Sequence, residues 1–305
     1  MEFGRLPDVA RVDFTLPSDA TANERWLGGE PCADPVLRLG LAGWADKGFV
    51  GKLYPRGTPS RAFLEVHARA FPTNELNSTY YGVSAERIER WRKAVPAGFR
   101  FCPKLPGPVT HEGRLGGERG EMEAFVAACA GFGETLGRVW GVLPPGFGPE
   151  RLPELEDFLR RFAGDLSLAL ELRHPVWFRD PGALEAAFAL FEAHGVVTIL
   201  TDVAGRRDVL HMRLSAPEVF LRFVGNGGHP TDLTRLDEWA ARLNDWFARG
   251  LRGGHVFLHQ KQDPDAVLLA RHLAERLGPG IGTDLLPGLA RAERDVREPK
   301  QETLF

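Results

Sequence analysis

The sequence predicts an α/β fold: a (β/α)8 TIM barrel, a parallel eight-stranded barrel with outer helices. Three observations predict it. Apolar runs flanked by turn residues recur eight times, with helical patterns between them. Eight strand–helix units in roughly 240 residues suit a closed barrel better than an open doubly wound sheet. No glycine-rich loop of the GxxxxGKS or GxGxxG kind is present, which weakens an open nucleotide-binding sheet.

The strands are expected at 36–44, 73–81, 99–105, 139–143, 166–174, 196–202, 219–225 and 255–260. Helical spacing follows the first two at 59–71 and 85–94. After the third, 121–136 puts Met122, Phe125, Val126, Cys129 and Phe132 on one face. After the fourth, 150–163 repeats with Leu152, Leu155, Phe158, Leu159 and Phe162. A helix at 182–194 follows the fifth strand, and the sixth connection, 203–217, reads as mostly irregular. The stretch 232–249 carries Leu233, Leu236, Trp239, Ala240, Leu243, Trp246 and Phe247, the stripe of a helix with one buried side. It stops at Gly250, which suits the left-handed residue after a helix end. A last helix is expected at 264–277. The organisation is thus an N-terminal extension, 1–35, a barrel, 36–278, and a short helix with a tail, 279–305.

Composition narrows the function classes. The 305 residues are 43% hydrophobic and 26% charged, which excludes disorder over most of the chain. No apolar run approaches the ~18–20 residues of a membrane span. The start, MEFGRLPDVA, has no signal-peptide pattern, so a cytoplasmic location is expected. Three cysteines, Cys32, Cys102 and Cys129, lack CxxC spacing and read as free thiols. A net charge of −3 argues against sequence-independent grip on duplex nucleic acid, while leaving room for a local cationic pocket.

Several strands begin apolar and finish polar. The second ends in Glu75, Asn77, Ser78, Thr79 and Tyr80; the fifth in Glu171, Arg173 and His174; the sixth in Asp202; the last in His259, Gln260 and Lys261. Buried ionisable groups are costly unless paired, so their gathering at one strand end implies a shared polar mouth. In barrels of this type the C-terminal mouth holds the active site. The mouth is expected to contain Glu75, Glu171 and Asp202, the cations Lys104, Arg173 and Arg222, the imidazoles of His111, His174 and His259, and the rings of Trp44, Tyr80 and Trp177. Carboxylate beside histidine does acid–base work or holds a divalent metal, and the sequence does not choose. Arginine offers paired donors to phosphate or carboxylate, and an aromatic face stacks a base or a sugar. Each residue also has a plainer reading: Glu171 and Arg173 share a strand face and form an ion pair closing the barrel top, His174 is structural, and Trp177 is packing.

These residues lie in strings that resemble one family. LGLAGWADKGFVGKLYPRG, NELNSTYYG, GFRFCPKLPGPVTHEGRL, LALELRHPVWF, FLRFVGNGGHPTD and VFLHQKQDPDA resemble the domain-of-unknown-function 72 family, also called YecE-like, over about 37–277. The resemblance implies a TIM barrel. It carries hallmark positions onto Gly43, Trp44, Tyr54, Pro55, Glu75, Asn77, Ser78, Thr79, Tyr80, Phe101, Lys104, Thr110, His111, Leu115, Glu171, Arg173, His174, Trp177, Asp202 and Arg222. The chain departs from the family pattern at Val142, where glutamine is common, at Val224, where histidine is common, and at His259–Gln260, where two asparagines are common. The resemblance implies no settled activity. The barrel is similar to those of metal-dependent apurinic endonucleases and sugar isomerases, at the level of fold alone.

The last five residues, QETLF, resemble the QxxLF peptide with which bacterial repair and replication proteins bind the sliding clamp, with Gln301, Leu304 and Phe305 at the matching positions. The leading expectation is an enzyme, hydrolase- or phosphodiesterase-like, acting on a nucleotide or damaged nucleic acid. Lys104, Arg173 and Arg222 meet phosphate. Glu75, Glu171 and Asp202 with His111 and His174 do the chemistry. Trp44, Asn77, Tyr80, Trp177, His259 and Gln260 shape the pocket. The competing expectations are a carbohydrate isomerase or hydrolase and a non-catalytic module tethered to the clamp.

Overall fold

A computed structural model describes residues 4–112, 115, 120–260, 262–278 and 281. Eight parallel strands form the barrel: β1 (Val36–Leu41), β2 (Thr73–Leu76), β3 (Arg100–Pro103), β4 (Val139–Leu143), β5 (Leu168–Leu172), β6 (Val197–Asp202), β7 (Glu218–Val224) and β8 (Gly253–His259). They pair in the order β3-β2-β1-β8-β7-β6-β5-β4. The remaining seam, between β3 and β4, is joined by isolated bridges. There Leu105 N donates to Trp140 O at 2.8 Å and Gly137 N to Phe101 O at 2.6 Å.

Alternation along each strand sorts the side chains. Cys102, Trp140, Val142, Ala169, Val197, Ile199, Phe220 and Phe257 fill the interior. Their neighbours one residue away, such as Leu170, Leu200, Leu221 and Val256, face the outer helices. The helix Thr231–Ala248 lays Leu236, Trp239, Leu243, Trp246 and Phe247 against that outer face. At Gly254 the outward side chain is missing for a reason: φ is +142° and a Cβ would stand 1.9 Å from Val219 O.

Six strands end earlier than expected, β1, β7 and β8 as well as β2, β3 and β5, and the last three do so for a visible local reason. β2 gives way at Asn77–Tyr81 to a 3-10 turn, because Thr79 Oγ1 donates to Leu76 O (3.0 Å) and Lys104 O (2.8 Å). β3 stops at Pro103, which has no N–H for the ladder. β5 stops at Leu172, just before the His174–Pro175 step that begins the helix Val176–Arg179. The expected 121–136 helix divides into Glu121–Ala130 and a 3-10 turn, Gly133–Thr135, where Gly133 takes φ +52°.

Residues 4–35 run across the barrel. Asn23 is fully buried; its amide donates to Met212 O (2.6 Å) and its carbonyl accepts from Leu214 N (2.8 Å). Asp19 accepts from Arg242 Nη1 (2.7 Å) and Trp246 Nε1 (2.9 Å). Cys102 and Cys129 are buried free thiols, each pushed up to about 12 by burial first of all. Among the described residues no helix is long and apolar enough to cross a membrane. Gln301, Leu304 and Phe305 lie outside the described residues.

Candidate active site

The alternation that fills the barrel also selects what reaches its C-terminal mouth. Glu75 extends the inward row of β2, Lys104 that of β3, Glu171 that of β5, Thr201 that of β6, Arg222 that of β7 and His259 that of β8. Register supports the level: Glu75 lies opposite Cys102, Val142 opposite Glu171, Thr201 opposite Arg222, and Val224 opposite His259.

Arg222 is the centre of this layer. Its guanidinium grips Glu75 bidentately, Nε to Oε2 at 2.8 Å and Nη2 to Oε1 at 3.2 Å, and reaches Glu171 Oε2 through Nη1 at 3.3 Å. Arg173 Nε donates to Glu171 Oε1 at 2.5 Å. His259 Nε2 lies 3.1 Å from Glu75 Oε2, and Asn77 Nδ2 donates to Glu75 Oε1 at 3.0 Å. Glu75, Glu171 and Arg222 are all buried. Burial alone would push Glu75 up, but the charges of Arg222 and then His259 outweigh it and hold the carboxyl far below the usual range. Glu171 is likewise held low against its burial, by Arg173 and Arg222. Burial would lower Arg222, yet the two carboxylates raise it. The result is a saturated, ionised network, in which both acids are fixed negative charges at neutral pH.

Lys104 sits beside this network without joining it. Its ammonium lies 4.5 Å from the ring centre of Tyr80 and 5.0 Å from that of Trp140, and makes no ion pair among the described residues. The Trp140 ring also carries the Arg222 guanidinium, at 4.6 Å. Burial first, then the charge of Arg222, brings the Lys104 amine down to about 8. His111 packs edge-on to Tyr80 at 5.6 Å, with Nδ1 2.7 Å from Thr110 Oγ1. Burial, followed by Lys104 and Arg173, holds it below the ordinary imidazole value. Tyr80 has room for this stack because position 107 is glycine; a Cβ there would stand 2.7 Å from the Tyr80 ring.

The structure therefore brings together Glu75, Asn77, Tyr80, Lys104, His111, Glu171, Arg173, Arg222 and His259. It separates others that the sequence grouped with them. Asp202 is one residue out of phase with Thr201, so it faces outward. It accepts from Arg235 Nη2 (2.7 Å) and Trp239 Nε1 (2.7 Å), and from Arg207, between barrel and helix. Gln260 is also out of phase with His259. Its side chain accepts from Gly227 N (2.7 Å) and donates to Asp232 Oδ2 (3.0 Å), bracing the loop after β7. Trp177 is fully buried, its indole donating to Phe147 O at 2.8 Å, so it offers no face to a ligand. His174 accepts from Val176 N at 3.2 Å, a local turn contact. Trp44 packs against Trp91 (5.5 Å) and Phe101 (6.1 Å), outside the carboxylate network.

Two residues of the mouth escaped the sequence reading. Trp140 sits in an unbroken apolar run, where nothing marks it as a wall for two cations. Thr201, beside Glu171, precedes the more conspicuous Asp202. Alternation from Glu171 through its register partner Val142 is the signal that reaches Trp140. Among the described residues, no three His, Cys, Asp or Glu side chains are grouped as metal ligands. Glu75 and His259 make a pair of such groups, with Arg222 occupying the remaining face of the carboxylate.

Comparison with known proteins is consistent with this architecture. The chain is 28% identical over 264 residues to the UPF0759 protein YecE of Escherichia coli K12, covering 79% of this chain and 92% of that protein. It is 27% identical over 218 residues to the UPF0759 protein YunF of Bacillus subtilis 168, covering 67% of each. A crystal structure of a DUF72 family protein from Enterococcus faecalis V583 superposes with a TM-score of 0.64 at 20% identity, over 80% of this chain and 98% of that one. A second, from Thermotoga maritima MSB8, gives 0.58 at 21% identity, over 79% and 98%. Residues 38–290 match the family described as "Protein of unknown function DUF72", and the chain belongs to that family.

Proposed function

We propose that the chain is an enzyme acting on a phosphate-containing, ring-bearing substrate, a nucleotide or a damaged nucleic-acid strand, at the C-terminal mouth of the barrel. The observation that carries this reading is Lys104: a half-buried ammonium held against two aromatic rings, with no carboxylate of its own among the described residues. Among the described residues three cations, Lys104, Arg173 and Arg222, face two carboxylates, Glu75 and Glu171, which leaves one positive charge for an incoming anion. Desolvated cations attract an anion more strongly than exposed ones.

The roles follow from the electrostatics. Arg222 holds Glu75 and Glu171 ionised, so neither donates a proton near neutrality. Lys104, brought down to about 8, is the group that exchanges a proton closest to neutrality, and His111, held below the ordinary imidazole value, stands beside it. Tyr80 offers a ring face beside them, and Arg173 adds a second cation at the rim. His259 and Asn77 fix the orientation of Glu75.

Pyridoxal 5′-phosphate tests this directly, since it carries an aldehyde, a phosphate and an aromatic ring. A neutral lysine amine adds to the aldehyde carbon, water leaves, and borohydride reduces the resulting imine to a stable secondary amine. Near neutral pH, Lys104 is expected to be labelled ahead of the exposed Lys47, Lys52 and Lys93. Adenosine monophosphate or an oligonucleotide with an abasic site is expected to protect it, and a neutral hexose is not. Labelling spread evenly over the lysines, or protection by the hexose alone, overturns the proposal and favours carbohydrate chemistry in the second case.

A further inference from the structure

The opposite pole of the barrel holds a second charged layer. Reading the inward rows of the strands toward their N-terminal ends places Arg38 on β1, Arg100 on β3, Arg138 immediately before β4, Glu218 on β7 and His255 on β8. Register puts Arg38 opposite His255 on one side, and Phe220 opposite His255 on the other. Glu218 is committed to Arg138, whose Nε and Nη2 lie 3.0 Å and 2.8 Å from its Oε2. Arg100 makes one backbone bond, Nη1 to Phe99 O at 3.0 Å, and Arg38 makes no hydrogen bond or ion pair among the described residues. Among the described residues this layer therefore holds three guanidiniums and one carboxylate, and the carboxylate is paired with Arg138.

His255 makes the imbalance specific. The ring is buried, 6% exposed, and stacks on Phe257 with ring centres 5.9 Å apart. Both of its nitrogens are buried without a hydrogen-bond partner. Burial, then the charges of Arg38, Arg138 and Arg100, keeps it neutral. A neutral imidazole still has one N–H to donate, and an orphaned buried donor is costly. Arg38 is itself pushed down by burial and by Arg100. Like charges crowded over an unsatisfied donor are a poor arrangement for an empty surface and a good one for an oxyanion.

We propose that this floor is an anion site for a phosphate dianion, separate from the mouth. Its two surplus positive charges, with His255 neutral, match the charge of the ligand. Arg38 and Arg100 donate to it from the rim and the His255 ring N–H from below, while Arg138 remains held by Glu218. The site does not depend on the reading of Lys104, because the plug of Trp140, Phe220 and Phe257 lies between the two poles.

The experiment is calorimetric titration of inorganic phosphate into the Lys104→Met protein, which removes the free cation of the mouth, with and without Arg38→Met. One phosphate per chain is expected in the first protein, bound about tenfold or more weakly once Arg38 is gone, as the loss of a charge-assisted contact implies. The His255 imidazole resonances are expected to move on phosphate addition in the first protein only. Absence of saturable binding in Lys104→Met, or equal affinity with and without Arg38, overturns the proposal. If Arg38→Met does not fold, Arg100→Met serves in its place with the same expected loss and the same contradicting result.

Discussion

Arg222→Met is expected to lower the unfolding free energy by about 3–5 kcal/mol, the range for removing one partner of a buried ion pair. The effect is large because Arg222 serves two acids at once, bidentate on Glu75 and single on Glu171. Its removal leaves Glu75 fully buried with only His259 and Asn77 for partners. The pH dependence carries the sign. In the wild type both carboxyls lie below their ordinary value near 4.5, so their contribution is complete above that pH and is lost as the pH falls toward the folded-state values. In the variant burial wins at Glu75, and ionisation costs stability as pH rises through that value. The stability gap between the two proteins therefore narrows in mild acid. Urea unfolding at neutral pH and in mild acid checks both statements. A neutral-pH loss under about 1 kcal/mol would place the pair in the class of screened surface bridges instead.

The second large effect is expected at a residue that the sequence placed in the mouth and the structure places outside it. Asp202→Ala is expected to cost about 3–5 kcal/mol for the same reason, because it removes the nearer of two carboxylates from a fully buried guanidinium, Arg235, which keeps only Asp232 at 3.7 Å. It also leaves the Trp239 indole N–H without its acceptor. Pyridoxal phosphate labelling of Lys104 is expected to be unchanged, since Asp202 faces the helix Thr231–Ala248 and not the barrel interior. The combination of lost stability and retained labelling distinguishes a structural acid from a catalytic one. Labelling that falls with stability intact would return Asp202 to the mouth.

Asp202 also shows what was legible in the sequence. The eight apolar runs and the helical stripes were visible because burial on both faces of a parallel strand needs continuous hydrophobicity. That same continuity hides the phase. In VTILTD, Ile199 and Leu200 are both buried, one in the interior and one against helices, and nothing in their chemistry says which. A polar residue at the strand end was readable as functional, but its face was not. Glu75, Glu171 and Arg222 fell on the inner side and Asp202 and Gln260 on the outer. Trp140 was obscured for the converse reason: it looks like ordinary core until two cations are found against its ring. The turn at Asn77–Tyr81, which aims Tyr80 at Lys104, is anchored by one hydroxyl shared between the nearby Leu76 carbonyl and the distant Lys104 carbonyl, and the second contact is a tertiary effect with no local signature. The basic layer at the other pole was missed because its members, Arg38, Arg100, Arg138 and His255, stand far apart in the chain and meet only through closure.

The mouth is proposed to be a desolvated cationic site in which, among the described residues, Lys104 is the uncommitted charge. Titrating the Lys104 amine by carbon NMR, in protein whose lysines carry isotopically labelled methyl groups, measures this most directly, with Lys104→Met giving the assignment. The midpoint is expected at about 8, well below the ordinary lysine value near 10.5, and is expected to move upward when a phosphate-bearing ligand binds. A midpoint at the ordinary lysine value near 10.5, unmoved by such ligands, would contradict it.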